Sequence, residues 1–274
     1  MLVFGHRGAC GYLPENTMES FELAFQLGAD AIEFDVVMTK DGHPVILHDE
    51  DLTLTTTVAQ TNLPTRVSEL SLQEVKTLRV KERYPARAES ASHDGAFEIP
   101  TLAEVLANPG FDGKHLIVEV KFGREFLERG LNIVEATAVA LEQSSFEARG
   151  IEITIECFEF GILQKLRDRI KGAKFVFLSA PDMLPTGFTE LTDELLAEIA
   201  SEFDGVSVAI PMLFQNNLVA RSKQLGMSVF AYTARVETAE GDVDSWFRKL
   251  IATGVDGLFA DQPDRLVNLV RANP

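Results

Sequence analysis

Cysteine is scarce in this chain of 274 residues: there are two, Cys10 and Cys157. They lie far apart, in no metal-ligand spacing, each near the end of an apolar run. Neither a disulfide framework nor a cysteine-bound metal is supported, and two small buried thiols in a reducing cytoplasm are the expectation. Positive charge is also short. Lysine and arginine total 25 against 42 acids, a net charge of −17. Such a balance opposes nonspecific attraction to nucleic acid or to anionic lipid, both of which favour a basic face. No apolar run approaches the roughly 20 residues of a membrane span. Met1 leads straight into what reads as a core strand, so neither a leader segment nor stable membrane association is expected.

What is present is alternation, in a chain whose 46% hydrophobic content suits a sizeable core. Short apolar, β-branched or aromatic runs fall at 2–5, 31–37, 115–120, 151–157, 174–178, 205–209, 228–232 and 257–260. Helical patterns lie between them, at about 124–143, 161–170, 213–225, 243–253 and 263–271. The first helix carries Met18, Phe21 and Phe25 on one face, with Asn16 and Glu19 as its N-terminal cap and Gly28 as its stop. Trp246, with Phe247 and Leu250, reads as core packing on a later one. Eight strands alternating with helices predict a (β/α)8 barrel, with a doubly wound open sheet as the alternative.

One stretch breaks the rhythm. Asp41-Gly42 between apolar runs is a strong hairpin signal, so 44–48 should return antiparallel to the second strand. The Thr- and Ser-rich stretch that follows, about 49–99, reads as an insertion at one end of a single barrel domain spanning 1–274, with a helix-like piece at 71–78. Thr101 and Glu104 then form a capping box leading back into the barrel.

In such barrels the active site is built at the C-terminal ends of the strands. His6, Asp35, Glu119, Lys121, Tyr232 and Asp261 all fall at or just after such ends. Strand side chains alternate faces, so Glu33 and Asp35 point the same way, as do Glu119 and Lys121. Clustered carboxylates repel one another, and a hard, oxygen-seeking cation relieves the conflict. The alternative is a structural network of Glu33 and Asp35 with Arg7 and Lys121. His6 and His48 are the candidates for a general acid and base, and Arg7 and Lys121 for balancing a phosphate charge. Tyr232 is either a pocket wall or a core-edge residue. His43, His93 and His115 fall in a turn, in the insertion and at the opposite strand end, and are set aside.

These residues also carry a resemblance. His6-Arg7-Gly8-Ala9, Pro14-Glu15-Asn16-Thr17, Gly28-Ala29-Asp30 with Glu33-Phe34-Asp35-Val36, Thr39-Lys40-Asp41-Gly42 and His48-Asp49 stand in the order and spacing of the glycerophosphodiester phosphodiesterase family. Glu119-Val120-Lys121 and the closing strand at 254–261 are similar to its later segments. The resemblance implies a (β/α)8 barrel with an insertion after the second strand. It implies one divalent cation, Mg²⁺ or Ca²⁺, on Glu33, Asp35 and Glu119. His6 and His48 would be the acid–base pair, with Arg7 and Lys121 on the phosphate. The expected products are sn-glycerol 3-phosphate and an alcohol such as choline or ethanolamine. Three positions depart from the family's habit: Thr56 where an arginine is frequent, Cys157 for a serine and Tyr232 for a tryptophan. They bear on the alcohol pocket and not on the reaction. Rival readings are a diesterase of lysophospholipids, with an apolar groove walled by the insertion, a non-catalytic glycerophosphodiester-binding barrel, and a sugar-phosphate isomerase or aldolase.

Overall fold

A computed structural model describes residues 1–185 and 187–272. Its strands are β1 (Leu2–Gly5), β2 (Ala31–Met38), β3 (Pro44–Ile46), β4 (His115–Val120), β5 (Glu152–Cys157), β6 (Lys174–Ser179), β7 (Gly205–Ala209), β8 (Ser228–Ala234) and β9 (Gly257–Ala260). Its helices are α1 (Met18–Gln26), α2 (Leu72–Val75), α3 (Ala88–Ala91), α4 (Leu102–Ala107), α5 (Gly123–Glu128), α6 (Ile133–Ser144), α7 (Phe160–Arg169), α8 (Asp193–Glu202), α9 (Leu218–Gln224), α10 (Val243–Ile251) and α11 (Pro263–Arg271). Strands pair in the order β1-β9-β8-β7-β6-β5-β4-β2, and a β1–β2 pairing closes the ring. All eight are parallel, so the molecule is a TIM barrel and not an open sheet. Strand β3 stands outside the ring, antiparallel to β2, as the Asp-Gly turn predicts. Gly42 takes a φ of 85° there, which a side chain would resist.

The barrel is filled asymmetrically. Phe4, Ala31, Ile117, Val176, Phe230 and Phe259 form an apolar plug inside it. Phe4 sits edge-on to Phe230 and Phe259, with ring centroids 4.9 and 5.0 Å away. A larger cluster fills the layer between sheet and helices. The plug fills one half of the barrel, and a cluster of charged side chains occupies the other half.

Several helices differ from expectation, each for a local reason. The cap of α1 is Thr17, whose hydroxyl accepts from the Ser20 amide at 3.2 Å. Asn16 instead sits at φ 58°, a left-handed conformation that asparagine tolerates, and sends its side chain into the barrel mouth. The single helix expected over 124–143 is two, α5 and α6, separated at Gly130 (φ 78°), with Asn132 capping the second. The one expected over 213–225 is only α9, because Asn216 and Asn217 are both left-handed and the chain before them is a 3-10 turn. The expected piece at 71–78 shortens to α2, capped by a Ser71–Glu74 box. Helix α8 was not anticipated; it buries Leu195, Leu196 and Ile199 beneath an acidic outer face. The Thr101–Glu104 capping box forms as expected.

Residues 49–99 follow β3 and hold little regular structure beyond α2 and α3. Leu52, Val58, Val67, Leu70, Val75, Leu78, Val80 and Ile99 tie them to the main core. Neither cysteine is paired, and both are buried. No helix among the described residues is long and apolar enough to cross a membrane.

The plug depends on Gly257, where an added Cβ would meet Phe4 Cε2 at 2.2 Å. Phe4 is boxed by two other rings and cannot yield. Gly257→Ala is therefore expected to cost about 1–3 kcal/mol, the usual penalty of overpacking, read as a lower midpoint in chemical denaturation.

Candidate active site

The mouth opposite the plug is crowded with charge. Strand alternation puts Glu33 and Asp35 of β2 on the inner face, and register places Asp35 beside Glu119 of β4, which in turn lies beside Glu156 of β5. One carboxylate oxygen from each of Glu33, Asp35 and Glu119 lies within 4.8 Å of the others, and all three residues are buried. Lys121 reaches back over this cluster, its Nζ 2.6 Å from Glu119 and 3.3 Å from Asp35. The Arg7 amide donates to Glu33 at 2.8 Å. Its guanidinium lies 3.0 Å from Glu15 and 3.1 Å from Asp35. The Asn16 amide nitrogen donates to Asp35 at 2.8 Å, which accounts for its unusual backbone.

Charge in this mouth is not balanced. Burial would raise Asp35, but the Lys121 and Arg7 charges outweigh it and hold that carboxyl well below its usual range. Burial, with Asp35 and Glu119 adjacent, pushes Glu33 well above its own. Burial and Asp35 bring Glu119 up to about 7 against the pull of Lys121. Glu33 Oε1 and Asp35 Oδ1 are buried and find no hydrogen-bond partner among the described residues. Oxygen donors, excess negative charge and an unpartnered buried oxygen on Glu33 fit a hard divalent cation. The network of Glu33 and Asp35 with Arg7 and Lys121 also forms, and Lys121 pairs with Asp35 Oδ1, but it leaves Glu33 Oε1 unmet.

Two histidines flank the cluster in matched settings. His6 Nδ1 lies 2.7 Å from Asp261 Oδ1, and His48 Nδ1 lies 2.6 Å from Asp49 Oδ1. With Nδ1 engaged by a carboxylate, Nε2 is the ring nitrogen left for chemistry. Burial, aided by the Arg7 charge, lowers the His6 pKa to about 4, so its ring is neutral at neutral pH. Burial lowers His48 as well, with Arg7 and Lys121 adding to the effect and Asp35 opposing it.

His6, Arg7, Glu33, His48, Glu119 and Lys121 line one cavity of about 330 Å³, together with Glu156, Phe158 and Tyr232. Asp35 lies beneath them, fully buried. Tyr232 presents its ring, edge-on to Phe158, while its hydroxyl donates to the Ser179 carbonyl at 2.6 Å. The eight residues expected to hold metal, substrate or proton thus meet at one mouth. His43 and His93 do not line it, and His115 bonds Thr154 at the far strand end.

Other residues at the mouth carried a weaker signal or none. Glu156, a carboxylate in the middle of an apolar strand run, was a signal that went unread. Asp49 and Asp261 sit in motifs already noted, but nothing in a linear pattern pairs each with a histidine. Arg83 and Arg87 come from the stretch 49–99 and have no sequence mark linking them to residues 6 or 48.

Fold and mouth together define a TIM-barrel protein of the enzymatic kind, with an acidic, cation-rimmed site at the strands' C-terminal ends. The model of the glycerophosphoryl diester phosphodiesterase family matches residues 6–265. The chain is 31% identical over 271 residues to a glycerophosphodiester phosphodiesterase of Caldanaerobacter subterraneus subsp. tengcongensis, covering 98% of each chain. It is 28% identical over 270 residues to that of Bacillus altitudinis, covering 97% of each. Among solved structures, a Silicibacter pomeroyi protein carrying the provisional name glycerophosphoryl diester phosphodiesterase superposes with a TM-score of 0.82 at 27% identity, over 99% of this chain and 93% of that one. This chain belongs to the glycerophosphoryl diester phosphodiesterase family.

Glu156 offers a test of the electrostatics. It is 1% exposed, its Oε1 has no partner among the described residues, and burial with Glu119 nearby raises it well above its ordinary 4.5. The folded chain therefore holds a proton that the unfolded chain has released, and stability falls as pH rises above that value. Glu156→Gln removes the penalty. Its stability relative to the parent should be greater at about pH 8 than at about pH 4, read from thermal midpoints at both.

Proposed function

We propose that the protein hydrolyses glycerophosphodiesters to sn-glycerol 3-phosphate and an alcohol, with one divalent cation and with His6 and His48 as general acid and base. The observation that carries this reading is the meeting of two carboxylate-held histidines and three converging carboxylates at one barrel mouth. Family membership supports the reaction class. We infer likewise that 1–274 is one barrel domain with 49–99 as its insertion. A cytoplasmic setting belongs to the same proposal and suits two buried, unpaired thiols.

Glu33, Asp35 and Glu119 would hold the ion. When bound, Mg²⁺ or Ca²⁺ supplies Lewis-acid neutralisation of the diester's charge. Arg7 and Lys121 line the same cavity and add fixed positive charge toward the non-bridging oxygens, Arg7 with a fork and Lys121 as a point. One imidazole takes the proton of the attacking hydroxyl, from water or from the neighbouring glycerol oxygen. The other, starting in its protonated form, gives that proton to the departing alcohol oxygen. Because each Nδ1 is tied to a carboxylate, both transfers would run through Nε2.

A second reading, diesters bearing an apolar chain such as lysophospholipids, is favoured by one feature. A cavity of about 440 Å³ adjoins the site, shares His48 and Lys121 with it, and is walled by Phe122, Phe158 and Met183. The wall comes from the loops after β4, β5 and β6, not from the insertion expected to supply it. Each methylene buried there is worth roughly 0.8 kcal/mol, about fourfold in KM.

The deciding assay is glycerol 3-phosphate release from glycerophosphocholine by EDTA-treated protein, with Mg²⁺, Ca²⁺, Mn²⁺ or no metal restored. Release only on restoration is expected. Release from lysophospholipids alone would favour the second reading. Release from neither, with any metal, would leave a binding barrel. In the restored enzyme, His6→Ala and His48→Ala should each lower kcat by at least about 10²-fold, the low end for general acid–base catalysis. Near-normal turnover in either would remove that ring from the mechanism.

A further inference from the structure

The insertion reaches the site through two arginines four positions apart, each ending on a carboxylate that holds a histidine. We infer that the segment 83–87 is a strap that sets both imidazoles, and that Arg83 and Arg87 are positioning residues for the reaction. This rests on the reading of His6 and His48 as the acid–base pair.

Arg83 donates through Nε and Nη2 to the two oxygens of Glu15, both at 2.8 Å. The same Nη2 lies 2.6 Å from Asp49 Oδ2, while Asp49 Oδ1 holds His48. Arg87 Nη2 lies 2.5 Å from Asp261 Oδ2, while Asp261 Oδ1 holds His6. Arg87 also donates to the Cys10 carbonyl at 2.9 Å and to Glu237 at 2.5 Å. In both pairs the carboxylate is thus gripped from two sides, one oxygen on the imidazole and one on an arginine of this segment. A carboxylate held so cannot rotate, stays ionised, and fixes the ring as the Nδ1–H tautomer.

These are not solvated surface pairs. The Arg83 and Arg87 side chains are 13% and 6% exposed. The segment is itself fastened. The Lys81 amide donates to the Thr55 carbonyl at 2.7 Å, the Glu82 amide to Asp94 Oδ1 at 2.6 Å, and the Tyr84 amide to Glu82 Oε1 at 2.7 Å. Through Glu15, Arg83 also connects to Arg7, so the strap reaches the cation beside Asp35.

The two ends differ in redundancy. Asp261 has a second cation, Arg235 Nε at 2.8 Å. Asp49 has Arg83 and no other among the described residues. Loss of Arg83 should therefore cost more than loss of Arg87.

The test uses the full-length, metal-restored enzyme with glycerophosphocholine, comparing Arg83→Met, Arg87→Met, Arg83→Lys and Arg87→Lys. Expected for Arg83→Met is a kcat loss of about 10–100-fold with KM little changed, the scale seen when a group orienting an active-site ligand from behind is removed. Arg87→Met should lose less, and each lysine variant should recover part of the loss. In an Asp49→Asn background, Arg83→Met should add little, because both substitutions release the same ring. If the arginines merely pin the insertion, thermal midpoints fall but kcat per folded molecule stays at the parent value, and the strap is overturned. Multiplicative losses in the double variant would also overturn it. Should the methionine variants fail to fold, the lysine variants carry the same comparison. Full turnover in His6→Ala and His48→Ala is a separate result, and it would sink the acid–base reading itself.

Discussion

Three carboxylates buried side by side are the constraint around which this molecule is arranged. Glu33, Asp35 and Glu119 cannot all be charged inside a closed barrel without help. Lys121 folds back over them, Arg7 approaches with both backbone and side chain, and Asn16 takes a left-handed backbone so that its amide can serve Asp35. Even so, an oxygen on Glu33 stays unmet. A cluster so costly to bury, left incomplete by its own chain, is built to receive positive charge from outside.

The apolar plug is the other half of that arrangement. Phe4, Phe230 and Phe259 close the barrel on one side, and His6, Arg7, Glu33, His48, Glu119 and Lys121 line a cavity on the other. The same closure leaves the inner side of the carboxylate cluster apolar. Low local polarity strengthens each ionic contact in the mouth and makes each unpaired group more expensive.

Much of this was legible in the linear pattern. Strands buried on both faces announce themselves as short apolar runs, and alternation within 33–35 and 119–121 is enough to aim the carboxylates inward. The hairpin at 40–43 and the capping box at 101–104 are local chemistry and were equally plain. Helix ends were less so. Left-handed residues such as Asn216 and Asn217 interrupt a pattern that hydrophobic spacing alone carries through. Helix α8 hid behind its acidic outer face. Least legible were the contacts made across the fold. Asp261 meets His6 over 255 positions and Arg87 over 174, and no periodicity encodes such a meeting.

The hairpin between β2 and β3 works as a ruler. Val36 pairs with Ile46, Val37 with Val45 and Met38 with Pro44, and the Leu47 amide donates to the Asp35 carbonyl at 3.1 Å. His48 is thus measured off against Asp35 by consecutive rungs of one ladder. Slipping that ladder by a single residue would turn the imidazole to the opposite face. Loops at a barrel mouth ordinarily lengthen and shorten freely as lineages diverge. The turn at 40–43 has no such freedom, because its length is part of the distance between a histidine and a carboxylate.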